Sequence, residues 1–269
     1  MHTMAGAYYN HIVQDITTKL GCTRREEAVW ECTKSTHAQD FLLVTPIEGL
    51  GQCMTPPEYR VVLKYRLFVP IFEDGVLCPK CRIHKMDKYG DHAIHCSKQP
   101  GFKHRHDLVR DVLCDILRRA DDTHKKEAPV NFLTPPSENR VNLQPANVLN
   151  HNWVRGQHYC VDITGVSPMV GFGKGVFMVR DAVTKAAEAK VVKHGNACKE
   201  AHHNFIPFAF DTFGFLDTEA EDLLRRVQKI TNKELAAIGT PEYVFRRIVF
   251  FIQKGVAAQL VSRLPIPHV

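Results

Sequence analysis

The chain has 269 residues, 44% hydrophobic and 24% charged, with a formal net charge of +6, enough to bury one large core or two small ones. No stretch approaches the roughly 18 uninterrupted apolar residues of a membrane span, and Met1 to Asn10 lacks a basic segment followed by an apolar one. Membrane and secreted classes drop out, leaving the nucleus or cytoplasm, and nine cysteines including a Cys-x-x-Cys favour metal ligation and free thiols over a disulfide framework.

In chain order, Tyr8 to Lys34 suggests one or two helices, punctuated by the Pro/Gly-rich passage Thr45 to Pro57. Pro57 then opens an amphipathic helix over Glu58 to Phe68, with Tyr59, Val62, Leu63 and Leu67 at helical spacing. Cys78-x2-Cys81 and His92-x3-Cys96 follow, three thiols and an imidazole that close a tetrahedron around zinc and leave no open position, so the implied role is structural. Gly90 and Asp91 allow the chain to return before His92. His84 and His95 are rival fourth ligands, and a redox Cys-x-x-Cys or unrelated buried cysteines are the other readings. A long helix spans His104 to Ala120, with Leu108, Val112, Leu113, Ile116 and Leu117 on one face.

Beyond Lys126 short apolar runs, Pro129 to Leu133, Val148 to Leu149 and Tyr159 to Val166, are separated by turn residues and read as strands. Gly171 to Gly175 lacks the pattern of a phosphate cradle and reads as a plain turn. Asp181 to His203 is a strong helix, Phe205 to Phe215 a buried strand, and Glu219 to Leu235 and Pro241 to Leu264 are helices. The sum is an α/β protein: a helical segment over 1–72, a small zinc-binding module over 73–102, and a mixed sheet flanked by helices over 103–269. Between Arg225 and Arg263 eight Lys or Arg stand against two Glu, so the C-terminal helices could neutralise phosphates, Arg246 and Arg247 foremost, or form an ordinary solvated face.

The ordered strings CPKC, DKYGDHAIHC, KHRHDLVRDVL, EAPVNFL, QPANVL and YCVDITGVSP resemble the C-terminal region of non-LTR retrotransposon polyproteins, over about Glu58 to Leu216. That region carries a Cys-Cys-His-Cys zinc motif followed by a restriction-like endonuclease of the PD-(D/E)XK superfamily, and the likeness is greatest to retroelement-derived reading frames abundant in plants. The resemblance implies metal-dependent DNA cleavage, with Mg²⁺ or Mn²⁺ held by carboxylates at the ends of a β-hairpin and a lysine stabilising the scissile phosphate. Position 147 and Asp162 lie opposite and point the same way if the hairpin pairs Val148 with Val161 and turns near Val154 and Arg155.

Where the family pattern reads Pro-Asp or Pro-Ala-Asp, this chain has Pro145-Ala146-Asn147, and a neutral amide binds Mg²⁺ far more weakly than a carboxylate. The resemblance therefore implies an impaired nuclease with Asn147, Asp162, Glu127 and Lys190 at its site. Lys185 and Lys193 are alternatives to Lys190, and Glu127 also reads as a solvated residue after Lys125 and Lys126. Arg105 and His106 match the family's Arg-His-Asn/Asp segment and are expected to meet phosphate, or else to pack under the zinc module. Trp153 and Arg155 at the hairpin tip are candidates to stack on a base. The implied partner is DNA, with no membrane; a non-enzymatic, zinc-stabilised nucleic-acid-binding or interaction module is the alternative.

Overall fold

A computed structural model describes residues 2–120, 123–126, 147–154, 157–170, 172, 176–234 and 243–265. Helices α1 (His2–Lys19) and α2 (Arg24–Thr33) open the chain. Helix α3 (Pro56–Arg66) follows two short 3-10 turns, Asp40–Leu43 and Glu48–Leu50. The same device starts α2 and α3: the Thr23 and Thr55 hydroxyls accept the N–H of Glu26 and Glu58, and each Glu carboxylate accepts the N–H of its Thr. Two orphan donors are satisfied at each start, which fixes where the helix begins.

Next come α4 (Asp91–His95), α5 (Phe102–Arg119), β1 (Thr123–Lys126), β2 (Val148–Val154), β3 (Gln157–Val166), α6 (Asp181–Glu200), β4 (His203–Asp211), α7 (Thr218–Glu234) and α8 (Tyr243–Val261). The four strands form one sheet in the order β1-β2-β3-β4. The first three are antiparallel neighbours; β4 lies parallel to β3, reached through α6 as a crossover. This is a mixed α/β arrangement. In the β2–β3 hairpin Val148 pairs with Val161 and Val154 with Gln157, the register in which position 147 and Asp162 lie opposite each other.

Strand β1 and the one-turn helix α4 carried no periodic signal in the sequence. The buried strand expected over Phe205 to Phe215 is His203–Asp211 instead, ending where Asp211 Oδ1 accepts the N–H groups of Phe213 (2.7 Å) and Phe215 (2.9 Å) and turns the chain. The strand expected over Pro129 to Leu133 and most of the Gly171 to Gly175 turn lie outside the described residues.

Two cores meet along α8. One packs Val112, Leu113 and Leu117 of α5 with Val161, Ile163, Phe208 and Phe210 of the sheet and Ile248 and Ile252 of α8. The other packs Val29, Val62 and Tyr65 with Ile94, Cys78 and Cys96 and with Val256, Ala257 and Leu260 of α8. Helix α8 is therefore apolar on nearly every face, as an interior helix must be. Close approach needs small residues: a Cβ on Gly255 would sit 2.7 Å from Arg105 Cγ, and one on Gly90, at φ +90°, 2.6 Å from Leu260 Cδ2. Among the described residues no helix is long and apolar enough to cross a membrane.

Candidate functional site

Cys78, Cys81, His92 and Cys96 converge, one ligand atom from each lying within 4.8 Å of all the others. Cys81 Sγ and His92 Nε2 are 3.5 Å apart, close to the edge of about 3.5–3.8 Å of a tetrahedron built on zinc bond lengths. The four atoms can hold a metal ion, and soft thiolates with an imidazole suit zinc. The electrostatics agree with ligation. The Cys81 thiol is pulled down to about 7, first by the backbone N–H of His84 and then by that of Ile83. Burial, helped by His84 and Arg263, holds His92 below the ordinary histidine value and so keeps it neutral.

Neither rival histidine joins this cluster: the His84 ring lies 5.5 Å from that of His92, and His95 Nδ1 donates to the Asp91 carbonyl at 2.7 Å.

The loop that delivers His92 is organised by a residue the sequence reading passed over. Asp87 Oδ1 accepts the N–H groups of Tyr89 (3.1 Å), Gly90 (2.7 Å) and Asp91 (2.9 Å), and its Oδ2 accepts that of His92 (2.7 Å). An Asp just before a glycine-containing turn is the available signal. Arg25 of α2 clamps the same loop, reaching Asp91 through Nε (2.8 Å) and Nη2 (2.7 Å) and lying over the Tyr89 ring. From the far side Arg263 donates to the carbonyls of Lys98 (2.9 Å), Pro100 (3.0 Å) and Gln259 (2.7 Å).

A second cluster sits on the hairpin. Asn147 Oδ1 accepts the N–H of Ile163 at 2.6 Å and lies 3.3 Å from His106 Nε2. Asp162, the residue before Ile163 on β3, is only 4% exposed. Lys190 of α6 places Nζ 3.0 Å from both Asp162 oxygens, and His194, one turn further along, lies 3.6 Å from Oδ2. Of the three candidate lysines it is Lys190 that reaches Asp162; Lys185 pairs instead with Asp181 at 3.3 Å. His194 escaped notice, although its spacing of four from Lys190 puts both on one helix face. Burial lowers its pKa, against the pull of Asp162.

This donor set does not fit Mg²⁺ or Mn²⁺. One carboxylate is already paired with an ammonium, and the one amide oxygen is engaged by a backbone N–H. Among the described residues no other group of three His, Cys, Asp or Glu could hold a metal. Glu127 and Arg155 lie outside the described residues, and of Trp153 only the backbone, near the end of β2, is described.

Two of the basic residues expected to face phosphate, Arg105 and Arg247, are placed otherwise. Arg105, 2% exposed, turns inward and donates to Gln259 Oε1 at 2.6 Å, so it offers nothing to an open nucleic-acid surface. Arg247, 4% exposed, pairs with Asp115 at 2.5 Å, and Arg246 is half-buried against the 43–52 segment. The positive C-terminal count is thus partly consumed inside the fold, because α8 is an interior helix whose cations satisfy buried acceptors. Among the described side chains of this stretch, the fully exposed cations are Arg225, Arg226 and Lys229 on α7. Comparison with protein-family models, with curated proteins and with solved structures finds no match.

Proposed function

We propose that this chain is a retroelement-derived, restriction-like nuclease domain with a structural zinc site, whose DNA cleavage is impaired by Asn147. The observation that carries the reading is the hairpin register, which sets Asn147 beside Asp162 with Lys190 converging on the carboxylate. The resemblance of the ordered motifs supplies the reaction class; the missing acid and the Lys190 ion pair support the impairment. The zinc site anchors α4 and the loop into α5, the helix that brings His106 to Asn147.

Plasmid nicking in Mg²⁺ or Mn²⁺ tests the reading. The natural chain should be weak or silent, and Asn147→Asp should raise nicking by on the order of 10²-fold, equivalent to a few kcal/mol of transition-state stabilisation. Strong nicking by the natural chain refutes the impairment. Silence from both, with DNA still bound, refutes nuclease chemistry as a description of this protein.

The alternative is a non-enzymatic nucleic-acid-binding module, favoured by the engagement of Asn147 and Asp162 with protein groups. Its phosphate contacts fall to the exposed α7 face rather than to the buried Arg247. DNA affinity should then fall steeply with salt and drop in Arg226→Glu/Lys229→Glu; unchanged affinity would make that face merely solvated.

A further inference from the structure

A pocket of about 380 Å³ opens between the metal module and the sheet, lined by His95, Phe102, Arg105, Val166, Ser167 and Ala182 among others. It lies apart from the Asp162 cluster, at the end of the strand that carries it. Its volume is in the range of small-molecule sites, roughly 300–1,000 Å³.

Arg105 is the first sign that something belongs there. Its side chain is buried; Nη1 donates to the neutral Gln259, Nε has no partner, and among the described residues no carboxylate forms an ion pair with it. Asp211 acts on it through space, beyond ion-pair distance. A guanidinium held out of water with no counter-charge in contact is costly, and an incoming anion relieves that cost. The two long helices that contribute Phe102 and Ala182 both present their N-terminal turns to the pocket, and neither has a side-chain cap. Those turns add positive potential and free N–H donors. Asp181, in the first turn of α6, is exposed and paired with Lys185.

His95 Nδ1 is engaged with the Asp91 carbonyl and Nε2 is buried without a partner, so the lining holds a second polar atom for a ligand to meet. The donors favour phosphate among anions: a guanidinium fork beside two helix N-termini suits a group with several acceptor oxygens. Phe102 and Val170, 50% and 61% exposed at the rim, offer apolar surface to a ring.

We propose that this pocket binds a phosphomonoester of mononucleotide size, with its phosphate on Arg105 and the two helix N-termini and a polar group of the nucleoside beside His95 Nε2. The test uses the metal-loaded full chain without DNA, titrated calorimetrically with thymidine 5′-monophosphate, thymidine, inorganic phosphate and acetate. The nucleotide should bind saturably with Kd at or below about 1 mM, inorganic phosphate more weakly, and thymidine and acetate not at all.

Ala182→Trp fills the pocket from a half-exposed helix position and leaves Arg105 in place; it should weaken nucleotide binding about tenfold or more while circular dichroism stays native. Arg105→Lys keeps the charge but loses the fork, with a similar loss expected. The proposal is overturned if neither phosphate nor nucleotide saturates by about 10 mM, or if Ala182→Trp binds as the natural chain does. Acetate binding as tightly as the nucleotide overturns the phosphate assignment, and equal affinity for phosphate and nucleotide overturns the size.

Discussion

Asp87→Asn is a nearly isosteric change that isolates the orientation of His92 from everything else in the metal module. In the native loop Oδ1 serves three N–H groups and Oδ2 serves His92 alone. An asparagine can keep its oxygen where Oδ1 stands, but it then faces the His92 N–H with an amide, donor against donor. One charge-assisted hydrogen bond is lost, worth about 1.5–3 kcal/mol, and the other three lose the help of the full charge. Because the His92 backbone sets the imidazole, the loss falls on metal binding: at 1.4 kcal/mol per decade, zinc affinity should drop about 10–150-fold. Competition against a chromophoric chelator reads this directly, and urea unfolding of the chelated proteins reports the metal-independent part. Zinc affinity within about threefold of the natural chain would refute the claim that Asp87 positions a ligand.

Gly90→Ala should destabilise by about 2–4 kcal/mol in urea titration, because φ is +90° and the new methyl would stand 2.6 Å from Leu260 Cδ2; a cost under about 0.5 kcal/mol would mean that α8 can back away from the module. Lys190→Met leaves Asp162 buried without its ammonium and should cost about 1–3 kcal/mol, most of it recovered in Asp162→Asn/Lys190→Met; additive losses would show that the two are not coupled. Burial pushes the fully enclosed Asp211 up to about 6. The native state therefore holds this proton at pH values where the unfolded chain has released it. The group's contribution to stability is favourable below about pH 4 and is lost as pH rises toward 6, by a few kcal/mol. Asp211→Asn keeps an acceptor for Phe213 and Phe215 and should gain on the natural chain between pH 4.5 and 7.5, as followed by thermal unfolding; a pH-independent difference would count against the raised value.

The two strands were legible as short apolar runs between turn residues, and their register came from the resemblance, which needs position 147 and Asp162 opposite each other. Alternation could not set it, because β3 is buried on both faces, Tyr159, Val161 and Ile163 on one and Cys160 and Asp162 on the other. The metal cluster was legible because ligand chemistry constrains residue type and spacing together. Lys190 could be narrowed only to three lysines, since nothing in a helix of mixed polarity says which way it rolls on the sheet; the ion pair with Asp162 decides it. The C-terminal positive charge misled because a count of basic residues is blind to where their stems run. Arg247 lies on, and Arg263 just after, a helix that is apolar on nearly every face, with Val249, Phe250 and Val256 buried beside Val244, Ile248, Ile252 and Leu260, and that was the usable signal for an interior helix. Strand β1, four polar residues long, has no burial pattern to read and forms only because β2 is there to pair with it.

The two clusters are linked mechanically, and that link limits how Asn147 can be interpreted. Its oxygen already accepts from Ile163 N–H and faces His106, and an aspartate there would preserve both contacts while adding a negative charge beside Asp162. With the Lys190 ammonium adjacent, the added charge has compensation within reach, so Asn147→Asp should be tolerated by the fold. His106 depends on α5, whose first turn packs under the metal loop through Gly101, where a Cβ would meet the Ser97 carbonyl at 2.7 Å. Loss of the metal should therefore reach the hairpin: with zinc chelated, amide exchange at Ile163 should quicken along with that of α4, while exchange on α7, which packs into the sheet core through Leu223 and Val227, stays slow. Uniform protection across Ile163 and α7 after chelation would separate the module from the sheet and leave the metal a local role.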